Sequence, residues 1–309
     1  MLPALDSLRA QFIVTPSGAR LRIATFERFE GTNARGACVL LHGQTEFIEK
    51  YCEVIDELRG RGFIVTTFDW RGQGGSSRTL PNAQKAHVGD FREFDEDLAT
   101  FLEWVIKPMG VAPPLVLAHS MGANVLLRTL HDRPRAFSAA VLSAPMVAVS
   151  TRGQPAWLAR LATTTMNLAG RSTGWVMGME GRDPLKMRFE DNLVTSDRGR
   201  FARQQTLVAN NPDNRLSGPT WGWLKAANTS MNRVLSAGYA EAIATPVLLC
   251  GAGKDRICLT PVTRAFAKRL PHGTYVEFED AEHEILMEND AIRARFWQAC
   301  DAFTAANEI

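Results

Sequence analysis

The stretch LVLAHSMGANVLL, residues Leu115 to Leu127, decides the fold. An apolar run from Leu115 to Leu117 stops at small residues around Ser120, and an apolar run with helical spacing follows. Ala118 and Gly122 stand two positions either side of the serine. A strand turning sharply into a helix needs small residues there, because the two backbones approach closely. Such a turn strains the serine's backbone and pushes its hydroxyl outward. The pattern predicts a nucleophilic serine at position 120.

Reading outward, short apolar runs bounded by turns recur along the chain. Ala37–Leu41, Phe63–Phe68, Ala139–Ser143, Pro246–Cys250 and Tyr275–Phe278 read as buried strands, and Gln11–Glu27 alternates as a hairpin around Ser17-Gly18. Helices are expected between them. The clearest spans Asp90–Ile106, with Phe91, Phe94, Leu98, Phe101, Leu102 and Val105 on one face; Pro261–Leu270 and Glu288–Thr304 are two more. Strand alternating with helix predicts an α/β fold, a mostly parallel central sheet flanked by helices.

The rhythm breaks after the sixth strand. From Met146 to Leu235 no strand-like run occurs, and helical pieces (Trp157–Leu168, Phe201–Ala209, Trp221–Leu235) are joined by Gly/Pro-containing connections. Residues 146–235 are therefore expected to form an α-helical cap inserted into a core built from 1–145 and 236–309. The insert holds four of the seven tryptophans and six of the ten methionines. It also carries 12 Lys/Arg against 6 Asp/Glu, a net +6 in a chain whose net charge is +2.

Composition narrows the function. With 309 residues, 45% of them hydrophobic, the chain can bury a large core. It has no Lys/Arg tract, so no nucleic-acid partner is expected. Its first residues lack a basic stretch leading into a long apolar one, and no run is long enough to span a bilayer. The five cysteines (Cys38, Cys52, Cys250, Cys258, Cys300) are scattered, as in a reduced protein. The expectation is a cytoplasmic protein. No residue cluster calls for a metal or organic cofactor, and the oligomeric state stays open.

A serine hydroxyl needs a general base within hydrogen-bond reach and a third group to orient that base. His283, just past the last strand, is the best base, and Asp255, directly after the Pro246–Cys250 strand, the best acid. Both follow Ser120 in the order acid then base, and all three fall at carboxyl ends of strands, where open α/β sheets place their sites. Glu282 and Glu284 flank His283 and compete for orienting it. The tetrahedral oxyanion requires two donors. Met121 supplies one backbone N–H, and Gln44, in the LLHGQTEF loop after the third strand, supplies the other. Glu46 is expected to anchor that loop. Asp69, Arg71, Gly72 and Gly74 are expected to hold the site's shape.

With these residues placed, the chain resembles the α/β-hydrolase branch that contains lysophospholipases and monoacylglycerol lipases and is also described as serine aminopeptidase-like. LLHGQTEFIEKY is similar to its HG-x-x-E loop, FDWRGQGGSS to its D-x-x-G-x-G-x-S loop, and AHSMG to its elbow. DRIC at Asp255 and HEILME at His283 match its acid and base loops. Ala118 and Ala123 depart from the usual glycines. The resemblance implies the triad Ser120, Asp255, His283 and the oxyanion residues Gln44 and Met121. It covers nearly the whole core and leaves the cap unmatched.

The expected activity is hydrolysis of carboxylic esters through an acyl-enzyme, with a lysophospholipid or monoacylglycerol as substrate. A short-chain carboxylesterase or an aminopeptidase on the same triad is the alternative, and a non-catalytic ligand receptor a more distant one. Trp157, Trp175, Trp221, Trp223 and Cys258 are candidates for the substrate pocket. The basic cap is a candidate for peripheral contact with an anionic membrane.

Overall fold

The computed structural model describes residues 3–151, 153–180 and 183–309. The strands, in chain order, are β1 (Gln11–Val14), β2 (Arg20–Phe26), β3 (Ala37–Leu41), β4 (Ile64–Phe68), β5 (Lys85–Ala86), β6 (Leu115–His119), β7 (Ala139–Ser143), β8 (Gly218–Pro219), β9 (Val247–Ala252) and β10 (Gly273–Phe278). The helices are α1 (Pro3–Ser7), α2 (Cys52–Gly60), α3 (Arg92–Phe101), α4 (Ser120–Asp132), α5 (Ala156–Leu168), α6 (Arg198–Asn210), α7 (Trp221–Leu235), α8 (Thr260–Ala267) and α9 (Asp290–Ala306).

Eight strands form the central sheet in the order β1-β2-β4-β3-β6-β7-β9-β10. From β4 to β10 every pairing is parallel, with Leu40 opposite Leu117, Leu117 opposite Val141 and Leu142 opposite Leu249. The hairpin β1–β2 adds an antiparallel edge through Ile23 opposite Phe68. From β3 the chain moves outward to β4, then crosses back to β6 on the other side. The strand order therefore reverses between β3 and β6, which opens a crevice at their carboxyl ends.

Every residue of β3, β6 and β7 is buried, as strands covered on both faces require. Alternate side chains serve opposite faces. Val39, Leu41, Val116 and Ala118 join one core with Phe94 and Leu98 of α3 and Leu126 and Leu130 of α4. Cys38, Leu40, Leu115 and Leu117 join the other with Ile55 and Leu58 of α2 and Phe296 and Phe303 of α9.

Two details depart from the sequence reading. The helix expected over Asp90–Ile106 ends at Phe101 and widens into a π-turn at Leu102–Ile106, ahead of Pro108 and a left-handed Gly110. The 146–235 segment contains a two-residue strand, β8, paired in parallel with β5. Within that segment α7 packs on the main core: Trp223, Ala226, Met231 and Val234 belong to the α3–α4 face, and Ser230 Oγ bonds Asn124 Oδ1 at 2.5 Å. α5 lies against α7. α6 is fastened to α2 by Arg200 Nε donating to Glu53 Oε2 at 3.0 Å. No described helix is long and apolar enough to cross a membrane. All five cysteines are free and buried.

Candidate active site

Ser120 opens α4 at the carboxyl end of β6, with φ of +49°. That conformation is strained for any residue with a Cβ. The elbow also brings β3 and α4 so close that Gly122 has no room for a side chain. A Cβ on Gly122 would stand 2.5 Å from the His42 carbonyl oxygen and 2.9 Å from that of Leu41. Ala118 is fully buried, so a methyl fits two residues before the serine.

Ser120 Oγ lies 2.9 Å from His283 Nε2, and His283 Nδ1 lies 2.7 Å from Asp255 Oδ2. Asp255 reaches inward from the loop after β9, and His283 from the loop after β10. The other carboxylate oxygen of Asp255 accepts from Ile257 N at 2.7 Å and Cys258 N at 2.8 Å, which locks the side chain. Burial alone would depress the His283 pKa; the hydrogen bond and charge of Asp255, with Glu284 and Glu46 behind, outweigh it and raise the value. His119, whose ring stacks at a tilt 4.8 Å from that of His283, goes the other way. Burial first, then the His283 and Lys50 charges, push it down to about 4.

The loop from His42 to Glu46 faces this serine. A Cβ on Gly43 would come within 3.1 Å of Ser120 Cβ. Its amides are pinned by side chains: Gly43 N to Glu46 Oε2, Thr45 N and Glu46 N to Gln73 Oε1. Thr45 sits at φ +62°. None of the described hydrogen bonds uses Gln44 N–H. Met121 N–H belongs to the first turn of α4, whose leading amides have no carbonyl one turn back.

Beneath the loop is a buried ion cluster that the sequence reading missed. Lys50 Nζ donates to Glu46 Oε1 at 2.7 Å and to Glu284 Oε1 at 2.6 Å, and Tyr51 OH donates to Glu46 Oε2 at 2.8 Å. Burial favours the neutral acid for both carboxyls, but Lys50 overcomes it at Glu46, holding that group well below the usual range, and leaves Glu284 raised. Glu284 therefore does not orient His283; it ties the base loop to the loop of Glu46. Glu282 lies 3.6 Å from Arg256 instead. Glu46, His119 and Glu284 converge closely enough to hold a cation. The Lys50 ammonium already bonds both of these carboxylates. Lys50→Met is expected to cost about 3–5 kcal/mol, the penalty for stranding buried carboxylates. The deficit, measured by urea unfolding, should be smaller at pH 5 than at pH 8. A buried carboxyl with a raised pKa takes up a proton in the fold, and its stabilising effect is lost as pH rises. Equal deficits at both values would show that the charges are not the cause.

The remaining predicted residues fall as follows. Asp69 is fully buried and accepts from Arg22 Nε at 2.6 Å, Gly75 N at 2.7 Å and Ile48 N at 2.9 Å, so it fixes the loop around the site. Arg71 bonds Asp97 Oδ1 at 2.8 and 2.6 Å. Gly74 backs directly on the Asp69 carboxylate. Cys258 is buried beside Ser120, and its thiol pKa is pushed well up by burial and by Asp255. Trp223 packs on Phe91 with ring centres 5.9 Å apart, Trp175 lies under Lys85 Nζ at 4.6 Å, and Trp221 abuts Gly174. Trp157 is 67% exposed.

Fold and relatives together define an ester-hydrolysing enzyme of the α/β-hydrolase fold. The chain belongs to the serine aminopeptidase S33 family, whose profile matches residues 32–290. It is 31% identical over 277 residues to lysophospholipase L2 of Escherichia coli, covering 87% of this chain and 80% of that one. A monoacylglycerol lipase of Mycolicibacterium smegmatis is 34% identical over 116 residues, 38% of this chain and 40% of the relative. Among solved structures, a monoglyceride lipase variant from Saccharomyces cerevisiae superposes with a TM-score of 0.75 at 16% identity, over 97% of this chain and 96% of that one.

Proposed function

We propose that the chain hydrolyses single-chain lipid esters, lysophospholipids or monoacylglycerols, with Ser120, His283 and Asp255 as its catalytic triad. The observation that carries this is the unbroken line from Ser120 Oγ to His283 Nε2 to Asp255 Oδ2 at 2.9 and 2.7 Å. Ser120 Oγ attacks the ester carbonyl as His283 Nε2 takes its proton. The imidazolium then protonates the departing alcohol. Water enters, gives its proton to His283 and releases the fatty acid, returning the proton to Ser120. Gln44 N–H and Met121 N–H receive the oxyanion at each tetrahedral stage.

Residues 146–235 act in this reading as the cap. Trp157, Leu161 and Leu168 are exposed at 67%, 54% and 84%, and their spacing puts them on one face of α5. Met177 adds a further exposed apolar side chain. An exposed apolar stripe on a basic segment suits an anionic lipid surface, and five free cysteines suit a cytoplasmic face. An aminopeptidase would need spare carboxylates in the cap to hold the substrate's amine. Of the candidates Glu180, Asp183, Glu190 and Asp191, Glu190 and Asp191 are paired with Arg198 and Arg188 at 2.9 and 2.7 Å and Asp183 lies 3.6 Å from Arg215, which leaves Glu180 exposed and without an ion pair among the described residues.

A hydrolysis panel tests the proposal: lysophospholipids and monoacylglycerols in anionic vesicles, p-nitrophenyl esters of several lengths, and aminoacyl amides. The lipid esters are expected to be turned over fastest, and Trp157→Ser to reduce both vesicle co-sedimentation and lipid turnover. Preference for acetyl esters or aminoacyl amides would overturn the substrate.

A further inference from the structure

The loop that faces Ser120 satisfies nearly every polar group it contains. Glu46 takes bonds from Gly43 N, Lys50 and Tyr51; Gln73 serves Thr45 N and Glu46 N; and Thr45 Oγ1 donates to the Gln44 carbonyl at 2.6 Å. His42 Nε2 lacks a hydrogen bond, though Asp69 Oδ1 stands 3.4 Å away; the side-chain amide of Gln44 is the larger departure. Both its oxygen and its nitrogen are buried, and neither has a partner. Native proteins rarely leave a donor and an acceptor together in this state, since each loses its water without replacement.

We propose that this amide is the specificity contact for the alcohol half of the ester, and that it selects glyceryl monoesters. The inference rests on the lipid-ester reading above. With the carbonyl oxygen held at Gln44 N–H, the acyl chain and the alkoxy oxygen both leave from the carbon beside this residue, so the chemistry of the amide decides which of them it meets. An acyl chain offers an amide nothing and would leave both atoms unpaired. A 1-acyl glycerol unit matches it. The hydroxyl on the carbon next to the ester donates to Oε1, and the oxygen one carbon further on accepts from Nε2. That second oxygen is a hydroxyl in a monoacylglycerol and a phosphate ester oxygen in a lysophospholipid. A diacyl lipid carries an ester in place of the first hydroxyl and has no proton to give.

The test compares kcat/KM for a 1-acyl glycerol with that for the propyl ester of the same fatty acid, which lacks both oxygens. Because the ratio is taken within one protein, any general loss from disturbing the loop cancels. The wild-type chain is expected to prefer the glyceryl ester, and Gln44→Met to lower that preference about 10- to 100-fold, since a site built to bond a hydroxyl discriminates strongly against its absence. Gln44→Glu, which removes the donor and adds a negative charge, is expected to lower turnover of lysophospholipid more than of monoacylglycerol. An unchanged glyceryl-to-propyl ratio in Gln44→Met overturns the inference and leaves the lipid-ester reading standing. Wild-type turnover of p-nitrophenyl acetate with none of either long-chain ester overturns that reading itself.

Discussion

Ser120→Ala is expected to lower kcat/KM on every ester substrate by about 10⁴- to 10⁶-fold, the range seen when a triad nucleophile is removed, while the fold persists. The reasoning for the second half is as specific as for the first. The serine is small and its hydroxyl makes its described hydrogen bond to His283 Nε2. Its loss leaves one buried acceptor short of a donor, worth about 1–3 kcal/mol at most, a melting shift of a few degrees for a chain of this size. Alanine inherits the same φ of +49°, so the strain is neither relieved nor increased. Ser120→Gly, which is free to adopt that φ, is expected to be at least as stable as Ser120→Ala. The measurement pairs steady-state kinetics with thermal melts and labelling by a fluorophosphonate. Turnover retained by Ser120→Ala would move the nucleophile elsewhere. Cys258 is the nearest other candidate, yet its thiol is held protonated by burial, which makes it a poor replacement.

The convergence of Ser120, His283 and Asp255 is legible in the sequence, for a physical reason. An elbow needs small residues at fixed offsets, and an acid and base at strand ends need only a place in the chain order, so Ser120, Asp255 and His283 could be named from local patterns. Strand positions were legible to within one or two residues because buried parallel strands are uninterrupted apolar runs. Lys50 was not. A lysine near the start of a helix reads as solvated, and what buries it is Glu284, 234 residues further along the chain. Gln44 could be named for its backbone, but no local signal says that its amide is buried and unpaired. The tryptophans show the limit of periodicity. It predicted the helix Trp221–Leu235, but it could not say that Trp223 on it meets Phe91, far earlier in the chain.

Asp255→Asn carries the second large effect, expected at about 10⁴-fold in kcat with KM little changed, as loss of the correct imidazole tautomer produces. The local bonding dictates how asparagine must sit. Asp255 Oδ1 accepts two backbone N–H groups, from Ile257 and Cys258. The asparagine oxygen has to take that place, because an NH₂ group there would face two donors. Its NH₂ then points at His283 Nδ1, which must accept, so the ring carries its proton on Nε2. A protonated Nε2 cannot take the serine's proton. The pH profile provides an independent check. Asp255 is the main reason that His283 is raised above its ordinary value despite burial, so wild-type activity should fall off on the acid side above the usual histidine range. In Asp255→Asn burial acts without the carboxylate, and the acid limb of the residual activity should move to lower pH. The stability sign follows from the same pair. The wild-type chain gains from a protonated His283 beside Asp255 below the ordinary histidine value and loses that gain as pH rises through the raised one, so the melting deficit of the variant should grow as pH is lowered. If Asp255→Asn kept a tenth or more of wild-type kcat, another carboxylate would have to orient the base. The neighbours of His283 are poorly placed to do so: Glu284 is held by Lys50 at 2.6 Å, and Glu282 lies toward Arg256.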